Sequence, residues 1–299
     1  MTIFAATVAT LFALWRIGRR LQFFLHIHQL EGYKNRGYMS WVVARPLDVL
    51  WRRSHFAGIL IVALLLYQVI PAWVALALWA AAFASSKRYR RDRPKKPLVM
   101  TPRMTRQAVT AVLLALALLA GVATTTVFLW LAFGDIEWWW VLIGLGTADL
   151  AAPLLVLLAA LLMAPVEAWI RRGFKVSARQ KLAARPDLTV VAVTGSYGKT
   201  SVKFAIAEVL GQRYQVLATP GSFNTPMGIC KVINNDLQDH HQVLILEMGI
   251  RNPGDIAELC EIARPHIAVI TGIGIAHLES MGSQDAIAQE KGSLLKYLL

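Results

Sequence analysis

Val190-Val-Ala-Val-Thr-Gly-Ser-Tyr-Gly-Lys-Thr-Ser201 reads as a buried strand, then a glycine-rich turn, then the start of a helix. This order builds a phosphate cradle. Backbone N–H groups around Gly195, Ser196 and Gly198 face phosphate oxygens, and the helix start at Ser201 adds its partial positive charge. Lys199 reaches the terminal phosphates and Thr200 offers a hydroxyl to Mg²⁺, so the stretch predicts ATP and Mg²⁺ as cofactors. Only Ser196 and Tyr197 separate Gly195 from the Gly198-Lys199 pair, where the general P-loop pattern has four residues.

Outward from this turn the composition divides. The chain has 299 residues, 56% of them apolar, and the apolar residues crowd into its first 170 positions. Four stretches, 2–15, 56–84, 108–133 and 138–170, are candidate membrane spans against the roughly 20 apolar residues that a crossing helix needs. The first is short for a span. The second carries Pro71 near its centre and reads as a hairpin of two half-helices. The expected fold is an α-helical transmembrane region (1–170), a basic juxtamembrane linker (171–187) and an α/β P-loop domain (188–299). That domain has a parallel sheet with crossover helices, incomplete within these residues.

Loop charge orients the spans. Residues 85–107 hold nine Lys or Arg against one acid, residues 16–53 are also basic, and Arg171, Arg172, Lys175, Arg179 and Lys181 follow the last span. Positive loops favour the cytoplasmic side. The acidic turn 134–137, next to Trp138, Trp139 and Trp140, suits the outer interface. The expected location is the cell inner (plasma) membrane, multi-pass, with the ATP-binding half in the cytoplasm and membrane lipid as a partner. The net charge of +13 is explained by these loops, so nucleic acid is not an expected partner. Cys230 and Cys260, without metal spacing, read as reduced thiols. Asp149 is an acid inside the last span; it is a functional group, or sits near the short outer turn, or is paired within the bundle.

In the second half, strands at 188–193, 216–218, 242–246 and 267–270 alternate with helices at 202–210 and 255–262, which implies a parallel sheet. Ligands gather at the carboxyl ends of such strands. Glu247 ends the third strand and suits Mg²⁺ as a hard oxygen ligand; the bland reading is an exposed strand-end acid. His277 follows the fourth strand, where a lone histidine is more often structural than catalytic. Lys291 alone would be an ordinary solvated helix residue.

Thr194-Gly-Ser-Tyr-Gly-Lys-Thr200, Asn224-Thr-Pro-Met-Gly228, Glu247-Met-Gly249, Arg264-Pro265, Thr271-Gly-Ile-Gly-Ile-Ala-His-Leu-Glu279 and Ala288-Gln-Glu-Lys291 occur in that order. As an ordered set they resemble the central ATPase domain of the Mur ligases, most of all the members that add D-alanyl-D-alanine to a UDP-muramyl tripeptide. The resemblance covers about residues 186–299. It implies an ATP-dependent carbon–nitrogen ligase of peptidoglycan precursor synthesis that works through an acyl phosphate. Its partners would be a cell-wall precursor, UDP-muramyl peptide or a lipid-linked analogue, and an amine such as a dipeptide. The resemblance assigns Lys199 to the transferred phosphoryl group, Thr200 and Glu247 to one Mg²⁺, and His277 to a second. Lys291 falls on the lysine that the family carbamylates into a metal ligand, and Asn224 and Thr225 fall on the substrate-side loop.

Two departures accompany it. A membrane region stands where the family has its uridine-nucleotide domain, and the chain stops eight residues after Lys291. The rest of the ATPase sheet and a C-terminal domain are therefore expected to be missing. Two other readings are a non-catalytic membrane scaffold that kept a nucleotide-binding fold, and a membrane-associated P-loop kinase. The kinase leaves Glu247, His277 and Lys291 unexplained.

Overall fold

The computed structural model describes every residue except 51, 85–95, 136–137 and 277. The first part of the basic loop 85–107 (85–95), the end of the acidic turn 134–137, and His277 thus lie outside the described residues. Two compact units divide the chain, Met1–Glu167 and Ala168–Leu299.

The first unit is helical: α1 (Thr2–Leu30), α2 (Asn35–Val43), α3 (Arg53–Leu66), α4 (Ala72–Ala84), α5 (Pro102–Phe133) and the larger part of α6 (Trp138–Ala183). Pro71, which lacks an N–H, separates α3 from α4, as the hairpin reading requires. At 14 and 13 residues, each is too short to cross a bilayer of about 30 Å at about 1.5 Å per residue. The helices α5 and α6 have the length and apolarity to cross one. Thr101 caps α5 by accepting from the Met104 N–H at 3.2 Å, Pro102 opens it, and Gly134 closes it with φ +83°.

One expectation is corrected here. Residues 16–53 are not a basic loop: α1 runs on to Leu30, and Arg16 and Arg20 are buried inside it. The cause is Asp149 on α6. Arg16 Nε donates to Asp149 Oδ1 at 2.9 Å, while Arg20 Nη1 and His55 Nε2 lie 3.2 and 2.9 Å from Oδ2. Arg16 also donates to Phe83 O and Ser54 Oγ, and Arg20 to Val49 O. Asp149 is therefore paired inside the bundle. Around it, Ala9 and Ala13 of α1 are small enough to seat α4 closely through Ala75, Leu76 and Trp79.

The second unit holds a four-stranded parallel sheet in the order β2-β3-β1-β4, from β1 (Thr189–Thr194), β2 (Val216–Ala218), β3 (Val243–Glu247) and β4 (Ile267–Ile270). Alternation along the strands sorts two cores. Val190, Ala192, Leu244 and Leu246 pack with α8 (Pro226–Asn235), α9 (Asp255–Ile262) and, after the short α10 (Leu278–Met281), α11 (Gln284–Gly292). Val191, Val193, Val243 and Ile245 face α7 (Lys199–Gly211) through Val202, Ile206 and Leu210. Residues 171–187, expected as a linker, are helical to Ala183, and Ala178 and Leu182 join the first of these cores. Cys230 and Cys260 are free and buried, and burial raises the Cys260 thiol to about 11.

Candidate functional site

The glycine-rich turn is laced to the loop that leaves β4. The Ser196 N–H donates to Gly272 O at 2.8 Å, the Thr271 N–H donates to Thr194 O at 2.9 Å, and Thr271 Oγ1 donates to Tyr197 O at 2.6 Å. Gly195 sits at φ +151°, where a Cβ would lie 2.0 Å from Thr271 Oγ1, so only glycine fits. Gly198, at φ +75°, is the N-cap of α7. The first N–H groups of α7 have no partner within the helix and carry its positive end. Lys199 Nζ donates to Gly195 O at 2.8 Å, folded over the turn, and Ser201 is exposed on the first turn of α7.

Strand alternation puts Glu247 on the α7 face, together with Val243 and Ile245. Its carboxylate is 1% exposed and has three side-chain partners. Thr200 Oγ1 donates to Oε2 at 2.8 Å, Lys203 Nζ lies 3.3 Å from the same oxygen, and Asn224 Nδ2 donates to Oε1 at 3.0 Å. Asn224 is held in turn by Gly249: the Gly249 N–H donates to Asn224 O at 2.9 Å, and a Cβ on Gly249 would lie 2.7 Å from Asn224 Cγ. Thr225 beside it caps α8, its Oγ1 accepting from the Gly228 N–H at 3.3 Å.

Lys291, read alone as a solvated helix residue, is 1% exposed. Its Nζ donates to Ser196 Oγ at 2.9 Å, and that hydroxyl also accepts from the Gly274 N–H and donates to Gly274 O. Burial, and then the nearby charge of Lys199, lower its pKa to about 8. Glu290, its neighbour, accepts from the N–H groups of Gly254 and Ile256 at the start of α9 and so fixes α11.

The structure thus brings together Gly195, Ser196, Gly198, Lys199, Thr200, Asn224, Glu247 and Lys291, with Thr225 one residue beyond. Lys203 and Glu290 escaped the sequence reading. The signal for Lys203 was its spacing: three residues after Thr200, it shares that residue's helix face. The Thr200 hydroxyl and Glu247 carboxylate form a pair of hard oxygens that fits Mg²⁺, which takes few protein ligands and completes its shell with phosphate and water. Among the described residues, no group of three His, Cys, Asp or Glu side chains converges.

Residues 193–299 match the family model described as Mur ligase middle domain. Over 106 residues the chain is 41% identical to a UDP-N-acetylmuramoyl-tripeptide–D-alanyl-D-alanine ligase of Treponema pallidum, covering 36% of this chain and 23% of that protein. Over 107 residues it is 45% identical to the ligase of the same name from Mycobacterium tuberculosis, covering 36% and 21%. Among solved structures it is similar to the MurF ligase of Thermotoga maritima in complex with ADP, at 40% identity and TM-score 0.41, covering 43% of this chain and 30% of that one. The chain thus spans less than a quarter of the length of these curated relatives. The resemblance read from the ordered motifs holds for this segment.

Proposed function

We propose that residues 188–299 are the nucleotide-binding part of an ATP-dependent carbon–nitrogen ligase of peptidoglycan precursor synthesis, tethered to the inner membrane by residues 1–170. The observation that carries this reading is the convergence of Thr200, Lys203 and Asn224 on Glu247 beside the Lys199 turn, with Lys291 joined to that turn through Ser196. A bare P-loop kinase requires neither Lys291 nor the Asn224 loop. The match to the Mur ligase middle domain supports the same reading.

In this mechanism the turn and the start of α7 cradle the ATP phosphates. Lys199 leaves Gly195 O for the γ-phosphoryl group and stabilises its developing charge. Thr200 and Glu247 would hold Mg²⁺, which when bound neutralises phosphate charge. A carboxylate oxygen of the acceptor bonds to the γ-phosphorus as ADP leaves. The amine nitrogen then bonds to the carbonyl carbon as inorganic phosphate leaves, which gives the amide. The acceptor is a muramyl peptide, nucleotide- or lipid-linked, and the amine is a dipeptide. Asn224 and Thr225 lie on the acceptor side.

His277 is the histidine proposed for a second metal. A pKa of about 8 leaves a sizeable neutral fraction of Lys291 near neutral pH, the form that takes up CO₂ as a carbamate. For the tether, the apolar side chains that α5 leaves exposed, among them Phe128, Leu131 and Phe133, suit a lipid environment.

The test follows oxygen. When the acceptor carboxylate carries ¹⁸O, the protein in its native membranes should deliver the label into inorganic phosphate, and Lys199→Ala should abolish this. ATP turnover with acceptor and amine but without ¹⁸O in the phosphate would sink the acyl-phosphate ligase.

A further inference from the structure

A second concavity lies in the same unit, against the acceptor-side loop. It is a cleft of about 740 Å³, a size typical of ligand sites, between the end of α6 and the start of α8. Arg171, Arg172, Lys175 and Arg179 form one wall, and Thr225 and Met227 stand on the other. Two of the four cations have acids of their own: Lys175 Nζ lies 2.5 Å from Glu258, and Arg179 Nη2 lies 3.0 Å from Glu261. Arg171 and Arg172 are exposed and, among the described residues, make no side-chain hydrogen bond or ion pair. Residues 171, 175 and 179 follow one another at four-residue spacing, so like charges stack along a single helix face. Glu258, which also lines the cleft, and Glu261 offset the second and third of these charges, and among the described residues Arg171 and its neighbour Arg172 are left for an outside anion. The guanidinium fork matches phosphate oxygens in two-point contact.

The cleft reaches the Glu247 cluster within one residue. Thr225 lines it, and the adjacent Asn224 donates to Glu247. We infer that this cleft binds the phosphate-bearing head of the acceptor through Arg171 and Arg172. The acceptor's carboxylate then lies toward the Thr200–Glu247 end, a placement that rests on the ligase reading above. The ligand is a diphosphate carrying either a nucleoside or a polyprenyl chain.

Affinities of the full chain in neutral detergent, measured by microscale thermophoresis, test this. The probes are UDP for a nucleotide-linked head, farnesyl diphosphate for a lipid-linked one, phosphatidylglycerol as an ordinary anionic lipid, and ATP. Binding of either diphosphate supports the inference, and which of them binds identifies the source. The R171Q/R172Q protein should lose tenfold or more of that affinity and keep its ATP affinity within twofold. Met227→Trp fills the cleft from the opposite wall without changing charge, and should weaken the same probe.

The inference is overturned if neither diphosphate binds, if phosphatidylglycerol competes with them equally, or if both variants bind as the parent does. Lys199→Ala should weaken ATP binding and leave diphosphate binding intact. A parent chain that ignores ATP yet holds the diphosphate in an arginine-dependent way would count against the ligase reading and leave the cleft assignment standing.

Discussion

Asp149 and Glu247 are both 1% exposed, and both lie within hydrogen-bond reach of a basic side chain, yet one is sealed and the other sits on a rim. Asp149 projects from the middle of a helix into partners drawn from α1 and α3, and these partners are themselves tied to Phe83 O, Val49 O and Ser54. Glu247 ends a strand, and its partners come from the first turns of α7 and from the loop that leads into α8. Burial of a charged pair therefore does not mark function. What separates the two is whether backbone glycines and a helix start stand beside the pair.

Breaking the first cluster should have the largest effect. Asp149→Ala leaves two buried guanidinium groups without their carboxylate, and should lower stability by about 3–5 kcal/mol, read from thermal unfolding in detergent. A fall below 1 kcal/mol would show that the cluster is not structural. Next comes Lys199→Ala, which should leave unfolding unchanged and cut ATP-dependent turnover by about 10²–10³, the range seen for loss of one aimed charge-stabilising group. Glu247→Gln keeps the shape and one acceptor. It should weaken Mg²⁺-dependent ATP binding roughly tenfold, with a stability cost below that of Asp149→Ala, because the amide oxygen still accepts from Thr200 and Lys203 and only the bond from Asn224 is lost. Equal destabilisation by Glu247→Gln and Asp149→Ala would erase the contrast between the two sites.

A smaller effect concerns Lys291. Its folded pKa of about 8 lies below the ordinary lysine value near 10.4, so between those two values the unfolded chain binds more protons than the folded one. Stability should rise with pH across that window, and the burial penalty should be fully present below about pH 8. Labelling by cyanate, followed at Lys291 by peptide mass spectrometry, should reach its half-maximal rate near pH 8, ahead of the solvent-facing lysines. Half-maximal labelling near pH 10 would remove the proposed readiness for carbamylation.

Much of the second unit was legible. Short β-branched runs gave the four strands to within a residue, because a parallel sheet buried on both faces leaves continuous apolar sequence. The glycine-rich turn and the strand-end acid were visible for the same reason: each interrupts an apolar run. Lys203 was hidden because it sits among Val202, Phe204 and Ala205, where a lysine reads as a solvated interruption, and only the face it shares with Thr200 betrays it. The first unit was less readable. Hydropathy located its apolar runs, but it assigned Arg16 and Arg20 to a loop, since window averages cannot register a pairing with a residue more than 100 positions away. Residues 171–183 misled in the opposite direction: their charge suggested a linker, while Ala178 and Leu182 form a buried stripe one turn apart.

The Ser196 hydroxyl has one proton and two lone pairs, and all three are engaged, by Gly274 O, the Gly274 N–H and Lys291 Nζ. Such a saturated group has nothing left to offer a phosphate, and the Ser196 N–H is already given to Gly272 O, so the phosphate contact expected of Ser196 is corrected to that of a rivet between three segments. It asks only one N–H of Lys291. An ammonium supplies three, and a carbamate nitrogen still supplies one. Changing the lysine from cation to anion would therefore reverse the charge at this point without loosening the joint, and the loops could be set for both chemical forms of the same residue.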